Sequence, residues 1–251
     1  MSEVQNGTTE KVVIYEFAWP LLVAVFEVNL YRILLELLAH ILLVVITVVV
    51  VRKTWGMDDL RSGQHALYSV VGLFWCVGEA MLVCHSWWLG DLTTKERLNL
   101  LHMVLGMVAL WLGLVGIFTK SLAKSRILET HFNSKHGLCG LLGFLLIGGA
   151  LVSGLVLVYI SHLALHLTHR LMSMIAFIFL GCSQWFALNL GFARREWSTR
   201  KIQWLKIATL GATISVAGYE FLCLSRDIVH LLPRNWFTAI GLNVKDSLDL
   251  D

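Results

Sequence analysis

Histidine recurs at the starts of successive apolar stretches in this chain: His65, His102, His136 and His169 each open one. A neutral imidazole donates at one ring nitrogen and accepts at the other, so it can ligate a metal or a haem iron, relay a proton, or simply pack. Polar side chains at membrane depth are costly and usually mark function. Ten histidines is many for a chain whose apolar stretches hold so few other polar groups. The arrangement matters more than the count. Helices joined by short loops run antiparallel, so their starts alternate sides. His65 and His136 then share one side of the molecule, and His102 and His169 the other. Each pair has the ligand set that grips a haem iron from both faces. At 1.5 Å per residue the two layers stand roughly 20 Å apart, a gap that two stacked haems would bridge for an electron and one would not.

The elements that must position these residues are legible in the composition. Hydrophobic residues make up 57% of the 251, only 15% are charged, and the mean hydropathy is +0.72. A soluble domain usually carries about a quarter charged residues. Six stretches, 33–51, 65–84, 101–119, 138–159, 171–190 and 204–223, approach or reach the length that crosses a bilayer, which is about 20 residues of helix. The backbone must satisfy its own hydrogen bonds in lipid, so each is read as a helix. The expected fold is an all-α integral membrane protein, a six-helix bundle with two haems in its central four helices. Its organisation is an N-terminal segment, 1–32, partly apolar and interfacial; the six-helix domain, 33–224; and a polar tail, 225–251. The stretch 12–28, interrupted by Glu16, Pro20 and Glu27, reads as an interfacial or packed segment rather than a span.

Other residue types are consistent with a membrane bundle. The net charge of +3 is too balanced for a nucleic-acid partner, and no basic amphipathic helix or charge run is present. The cysteines Cys76, Cys84, Cys139, Cys182 and Cys223 sit in apolar stretches without a CxxC pair and read as small buried residues. Trp87, Trp88, Trp197, Trp204 and Trp236 fall near helix ends, where interfacial anchoring explains them. Glycines crowd the third and fourth stretches, where they permit close helix packing or make room for a flat cofactor.

From His40 to Trp185 the chain resembles the cytochrome b561 family, and most of all its short branch of transmembrane reductases. Ala39-His40 resembles the Ala-His of that branch. Gln64-His65 stands where the branch has Trp-His, with Glu79-Ala80 following in the same helix. Leu101-His102 matches the second ligand, and His131-Phe132-Asn133-Ser134-Lys135-His136-Gly137 the approach to the third. The resemblance implies two b-type haems, ligated by His65/His136 and His102/His169. The fifth stretch departs from the pattern: it offers His162, His166 and His169 for one ligand. His169 deviates least from the family interval, with His166 as the fallback. Three residues apart, His166 and His169 lie on nearly the same helix face, so depth is expected to separate them. Arg170 is expected to snorkel to the headgroups or meet a haem propionate.

The function implied is a transmembrane ascorbate-dependent reductase. Electrons would enter from an ascorbate-like donor and leave to monodehydroascorbate or ferric iron, with no catalytic nucleophile or acid–base dyad. The rivals are a cofactor-free scaffold or binding protein, and a metal-ion transporter lined by histidines and acids. Against the latter, Glu36, Glu79 and Glu220 are not expected to line up with the paired histidines. His40 is read as a hydrogen-bonded partner of Glu36, His131 as an aid to proton release, and His85 and His230 as interfacial. The resemblance places both termini in the cytoplasm. Of the 20 lysines and arginines, eight fall on that side and twelve opposite, a mild lean against it by the positive-inside rule. Which membrane is involved, and whether the chain dimerises, stay open.

Overall fold

The computed structural model describes residues 6–57, 59–126 and 133–231, and side chains within 30–57, 59–86, 88–125 and 133–228. Among these residues the chain is all helix. The elements are α1 (Asn6–Thr54), α2 (Leu60–Tyr68), a π-helical stretch (Ser69–Cys76), α3 (Val77–Val83), α4 (Trp87–Leu92), α5 (Lys95–Arg126), α6 (Lys135–Tyr159), α7 (Leu163–Ala187), α8 (Gly191–Glu196) and α9 (Thr199–Leu231). One compact unit comprises Leu35–Leu224; the other draws on Met1–Leu34 and Ser225–Asp251. Stretch 12–28 is helical within α1, and its side chains, like those of Trp87, His131, His230 and Trp236, lie outside the described residues.

Six helical segments are long and apolar enough to span a bilayer: Leu30–Thr54, Leu60–Val83, Lys95–Ser125, Lys135–Tyr159, Leu163–Ala187 and Thr199–Ile228. Several overrun the apolar stretches of the sequence, because a helix continues into its polar flanks once it is nucleated and capped. Asp59 caps α2 by accepting from the Ser62 backbone N–H at 3.2 Å, and the Ser62 hydroxyl and N–H hold its carboxyl below the usual carboxylate range. Ser134 caps α6 by accepting from Gly137 N–H at 3.0 Å. The fifth span shows the largest difference. It begins at Leu163 rather than near residue 171, so His169 sits in its second turn, not at its start. His162, at the N-cap, makes no side-chain capping bond, which is why local sequence carries no signal for that start.

The bundle is sorted for lipid. On α1, Leu37, Ile41, Val45 and Val48 face outward, while Ala39, Leu43, Ile46 and Val50 are buried. Polar groups are buried as well: Glu36, Thr209, Ser215 and Glu220. None of the five cysteines forms a disulfide, and Cys182 is exposed rather than buried. Trp197 is packed rather than exposed. It is buried with Leu188, Ala193, Ile202 and Leu205 around the short helix α8, its ring edge-on to Phe192 at 5.9 Å.

Two antiparallel hairpins form the heart of the bundle: the second span against α5, and α6 against α7. Glycines set how closely they approach. A Cβ on Gly143 would stand 2.8 Å from Leu180 Cδ2, and one on Gly72 would stand 2.6 Å from Leu112 Cβ. The tightest approach of α7 to α9 is Gly181, where a Cβ would lie 3.0 Å from Thr213 Cβ and closer still to its branches. Thr213 is β-branched and stiff at χ1, so it cannot move aside. Gly181→Ala is therefore expected to destabilise the bundle by about 1–3 kcal/mol, read as a lower melting temperature in detergent. Gly218→Ala, where a Cβ would meet nothing within 4 Å, should not lower it.

Candidate functional site

Between the two hairpins the four histidines meet as two opposed pairs. The rings of His65 and His136 are 5.8 Å apart between centroids and inclined at 77°. Those of His102 and His169 are 5.7 Å apart and inclined at 69°. Of the three candidates on the fifth span, the structure brings His169 to His102. His162 and His166 are exposed. Depth does not separate His166 from His169 as expected; direction does. Three residues turn a helix by about 300°, and the remaining offset carries His166 onto the outer surface.

Each ring is held the same way. Nδ1 of His65 donates to Gly116 O at 2.9 Å, that of His102 to Ala80 O at 2.7 Å, that of His136 to Ser183 O at 3.0 Å and that of His169 to Ala150 O at 2.8 Å. A carbonyl can only accept, so the proton is on Nδ1 and the lone pair of each neutral ring is on Nε2. Ser183 Oγ adds a contact to His136 Nδ1 at 2.9 Å, and Ser153 Oγ one to His169 Nδ1 at 3.3 Å. Such outer bonds orient an imidazole and raise its basicity as a ligand. All four acceptor residues, Gly116, Ala80, Ser183 and Ala150, are small. A bulkier side chain would keep the ring from reaching a helix backbone.

The acceptors are arranged reciprocally. His65 bonds to the helix that carries His102, and His102 to the span that carries His65; α6 and α7 exchange bonds in the same way. Along α5, α6 and α7 the acceptor lies fourteen residues after that helix's own histidine. Fourteen residues make just under four turns and about 21 Å, so both groups face the partner helix, one in each layer. In the second span the interval from His65 to Ala80 is fifteen. That span alone contains a π-helical stretch, Ser69–Cys76, and a π turn holds one residue more than an α turn. The π stretch absorbs the extra residue and keeps both ends facing α5. The sequence carried this signal as a small residue two heptads beyond His102, His136 and His169, and one residue further beyond His65.

The residues fit a haem. Two imidazoles on opposite sides of one metal, each nitrogen about 2 Å from it, have ring centres about 6 Å apart, close to both separations here. Among the described residues no group of three or more His, Cys, Asp and Glu converges as a metal site. A bare ion such as zinc takes three or four protein ligands, whereas a haem needs only its axial positions filled. Around the His65/His136 pair is a cavity of about 310 Å³, lined mainly by apolar groups such as Phe74 and Leu180, with Lys120 and Lys124 among its polar members. Lys120 Nζ donates to Ser62 Oγ at 2.7 Å.

The remaining polar residues gather elsewhere. His40 pairs with Glu36 at 3.8 Å, and also, as the sequence did not indicate, with Glu79 at 2.8 Å. Arg170 Nε donates to Glu220 Oε1 at 2.6 Å, a partner the sequence did not indicate. His85 is half-buried and 3.8 Å from Glu220. The three deep carboxylates thus join one network on the side of the His102/His169 pair.

Comparison with protein families matches residues 64–199, just over half of the chain, to eukaryotic cytochrome b561. Comparison with curated proteins finds no match. The matched region opens one residue before His65 and encloses all four paired histidines.

The register argument predicts an asymmetry between helices. Deleting Val71 from the π-helical stretch should convert it to regular helix, keep His65 and Ala80 facing α5, and leave haem content unchanged. Deleting Leu145 from α6 turns His136 and Ala150 about 100° apart and should cost at least one haem. Absorption spectra of the purified variants decide it; equal loss from both deletions would refute the register argument.

Proposed function

The chain belongs to the cytochrome b561 family, a family of haem b proteins that carry electrons across membranes, and from that premise we propose that it holds two haems. On this reading His65 and His136 are the axial ligands of one, and His102 and His169 of the other. The observation that carries this is the shared anchoring of the four rings, each with Nδ1 bonded to a helix carbonyl and Nε2 facing its partner. Haem b, when bound, supplies an iron that changes oxidation state by one electron. The chain's own residues do the rest. The four imidazoles would hold the two groups, one in each layer of the bundle, and the apolar lining around Phe74 and Leu180 would exclude water there.

The donor is an ascorbate-like reductant, and the acceptor monodehydroascorbate or ferric iron, as the resemblance implies. Lys120 and Lys124 give the His65/His136 cavity positive charge, suited to the carboxylates of a haem or to an anionic substrate. The His102/His169 layer is placed on the cytoplasmic side, with both termini. An enzyme of this kind is a transmembrane reductase, and it needs no nucleophile of its own.

The ligand assignment is tested by substitution. His65→Ala or His136→Ala should each remove the same haem, about half the total absorbance, and the double variant should lose no more than either single one, because the pair acts as a unit. His102→Ala and His169→Ala should remove the other haem, while His166→Ala keeps both. Two haems retained in His169→Ala with one lost in His166→Ala would overturn the pairing. A colourless, folded protein from haem-replete cells would overturn the reading altogether.

A further inference from the structure

A second group of polar residues lies inside the bundle on the side of the His102/His169 pair. His40 donates from Nδ1 to Glu79 Oε2 at 2.8 Å, and its Nε2 faces Glu36 Oε1 at 3.8 Å. Glu36 Oε2 is 3.3 Å from the Tyr219 hydroxyl, which also bonds the backbone carbonyl of His85. His85 Nε2 lies 3.8 Å from Glu220 Oε2, and Glu220 Oε1 accepts from Arg170 at 2.6 Å. The thiols of Cys76 and Cys84 sit within electrostatic reach, beside Glu79 and Glu220 respectively, and the Trp88 ring stands edge-on to His40 at 6.2 Å. These groups come from α1, the second span and its exit, α4, α7 and α9.

Charge counting shows what the network must hold. Glu36, Glu79 and Glu220 are three carboxylates, and Arg170 is a permanent cation paired with Glu220. Glu36 is 1% exposed, and uncompensated charge at such depth is strongly unfavourable. Glu36 and Glu79 share His40 between them, so a proton on that imidazole or on either carboxyl reduces the charge buried there. It also has unmet bonding capacity at its centre: Glu36 Oε1 and His40 Nε2 are buried, face one another and have no hydrogen-bond partner. Tyr219 has a single hydroxyl proton and two acceptors, so it can turn between Glu36 and the His85 carbonyl, where the second span emerges.

The network adjoins the His102/His169 pair along the chain. Glu79 immediately precedes Ala80, whose carbonyl holds His102 Nδ1, and Arg170 immediately follows His169. We infer that the Glu36–His40 pair is a proton seat coupled to the haem held by His102 and His169, so that reducing that haem draws a proton into the network. The inference rests on the ligand assignment proposed above. The balance is simple: one electron from a one-electron reductant converts ferric iron to ferrous, and one proton from the adjacent aqueous side binds at Glu36 or His40. The added negative charge at the iron is thereby offset within the bundle. Binding linkage is reciprocal, so protonation in turn favours the reduced haem.

The test is redox titration of the two haems, resolved by absorption, across the pH range in which imidazoles and buried carboxyls titrate. A full proton per electron makes a tenfold change in proton activity worth about 59 mV for a one-electron couple. The expected result is a potential that falls toward that slope with rising pH at one haem only, the haem that His102→Ala removes. Glu36→Gln and His40→Gln should flatten the slope while both haem spectra persist. Glu196→Gln, which breaks the Lys53–Glu196 ion pair elsewhere, should leave it intact. A slope unchanged in both network variants overturns the inference, as does a slope carried by the haem that survives His102→Ala. If His102→Ala removes no haem, the ligand assignment itself has failed and the inference falls with it. Should the network variants not fold, wild-type protein reduced electrochemically in weak buffer with a pH-indicator dye decides: proton uptake at that haem supports the coupling, and none refutes it.

Discussion

A helix buries its own hydrogen bonds, and in lipid it has no others to offer except where a side chain reaches a carbonyl's second lone pair. The bond from an imidazole Nδ1–H to such a carbonyl is the interaction on which this bundle's geometry depends. It satisfies a polar group that the bilayer would not tolerate unpaired, fixes the tautomer, and aims the Nε2 lone pair across the gap between two helical hairpins. Made four times, it turns a set of apolar helices into a frame for two opposed histidine pairs.

Much of the packing follows from making that bond possible. The carbonyl must belong to a small residue, hence Gly116, Ala80, Ser183 and Ala150. Its neighbours must let the helices close up, hence Gly72 against Leu112, Gly143 against Leu180, and Gly154, where a Cβ would stand 3.0 Å from His169 Cε1. Histidine and acceptor must face the same partner, hence the fourteen-residue interval and the π-helical stretch that corrects the one interval of fifteen. Small residues in membrane helices are commonly credited with close packing alone; here they also present backbone to side chains.

The polar groups inside the bundle are unevenly distributed. On the side of the His65/His136 pair, lysines join the cavity lining. On the side of the His102/His169 pair, three carboxylates, two histidines, a tyrosine and an arginine are linked across α1, the second span, α7 and α9. Cytochrome b561 chemistry moves an electron through a medium of low dielectric, where each charge displaced matters to its neighbours. The two layers thus differ in their polar surroundings.

The sequence by itself determined the class of the protein. Hydropathy alone requires six spanning helices, because no other arrangement solvates so much apolar surface. Alternation of helix direction alone places His65 with His136, and the residues around His65, His102 and His136 carry the family resemblance. What it did not decide were quantities that depend on rotation and on residues distant in the chain. The start of the fifth helix has no capping signal, so the choice between His166 and His169 turned on which side of a helix faces the bundle, and that is a property of packing. Glu36 and His40 are neighbours on one helix and could be paired by eye, but Glu79, Tyr219, Glu220 and Arg170 join them only because α1, α7 and α9 close against the second span. The carbonyl acceptors were hidden for a similar reason: a backbone oxygen has no residue type, and only the approach of a second helix makes one of them a partner.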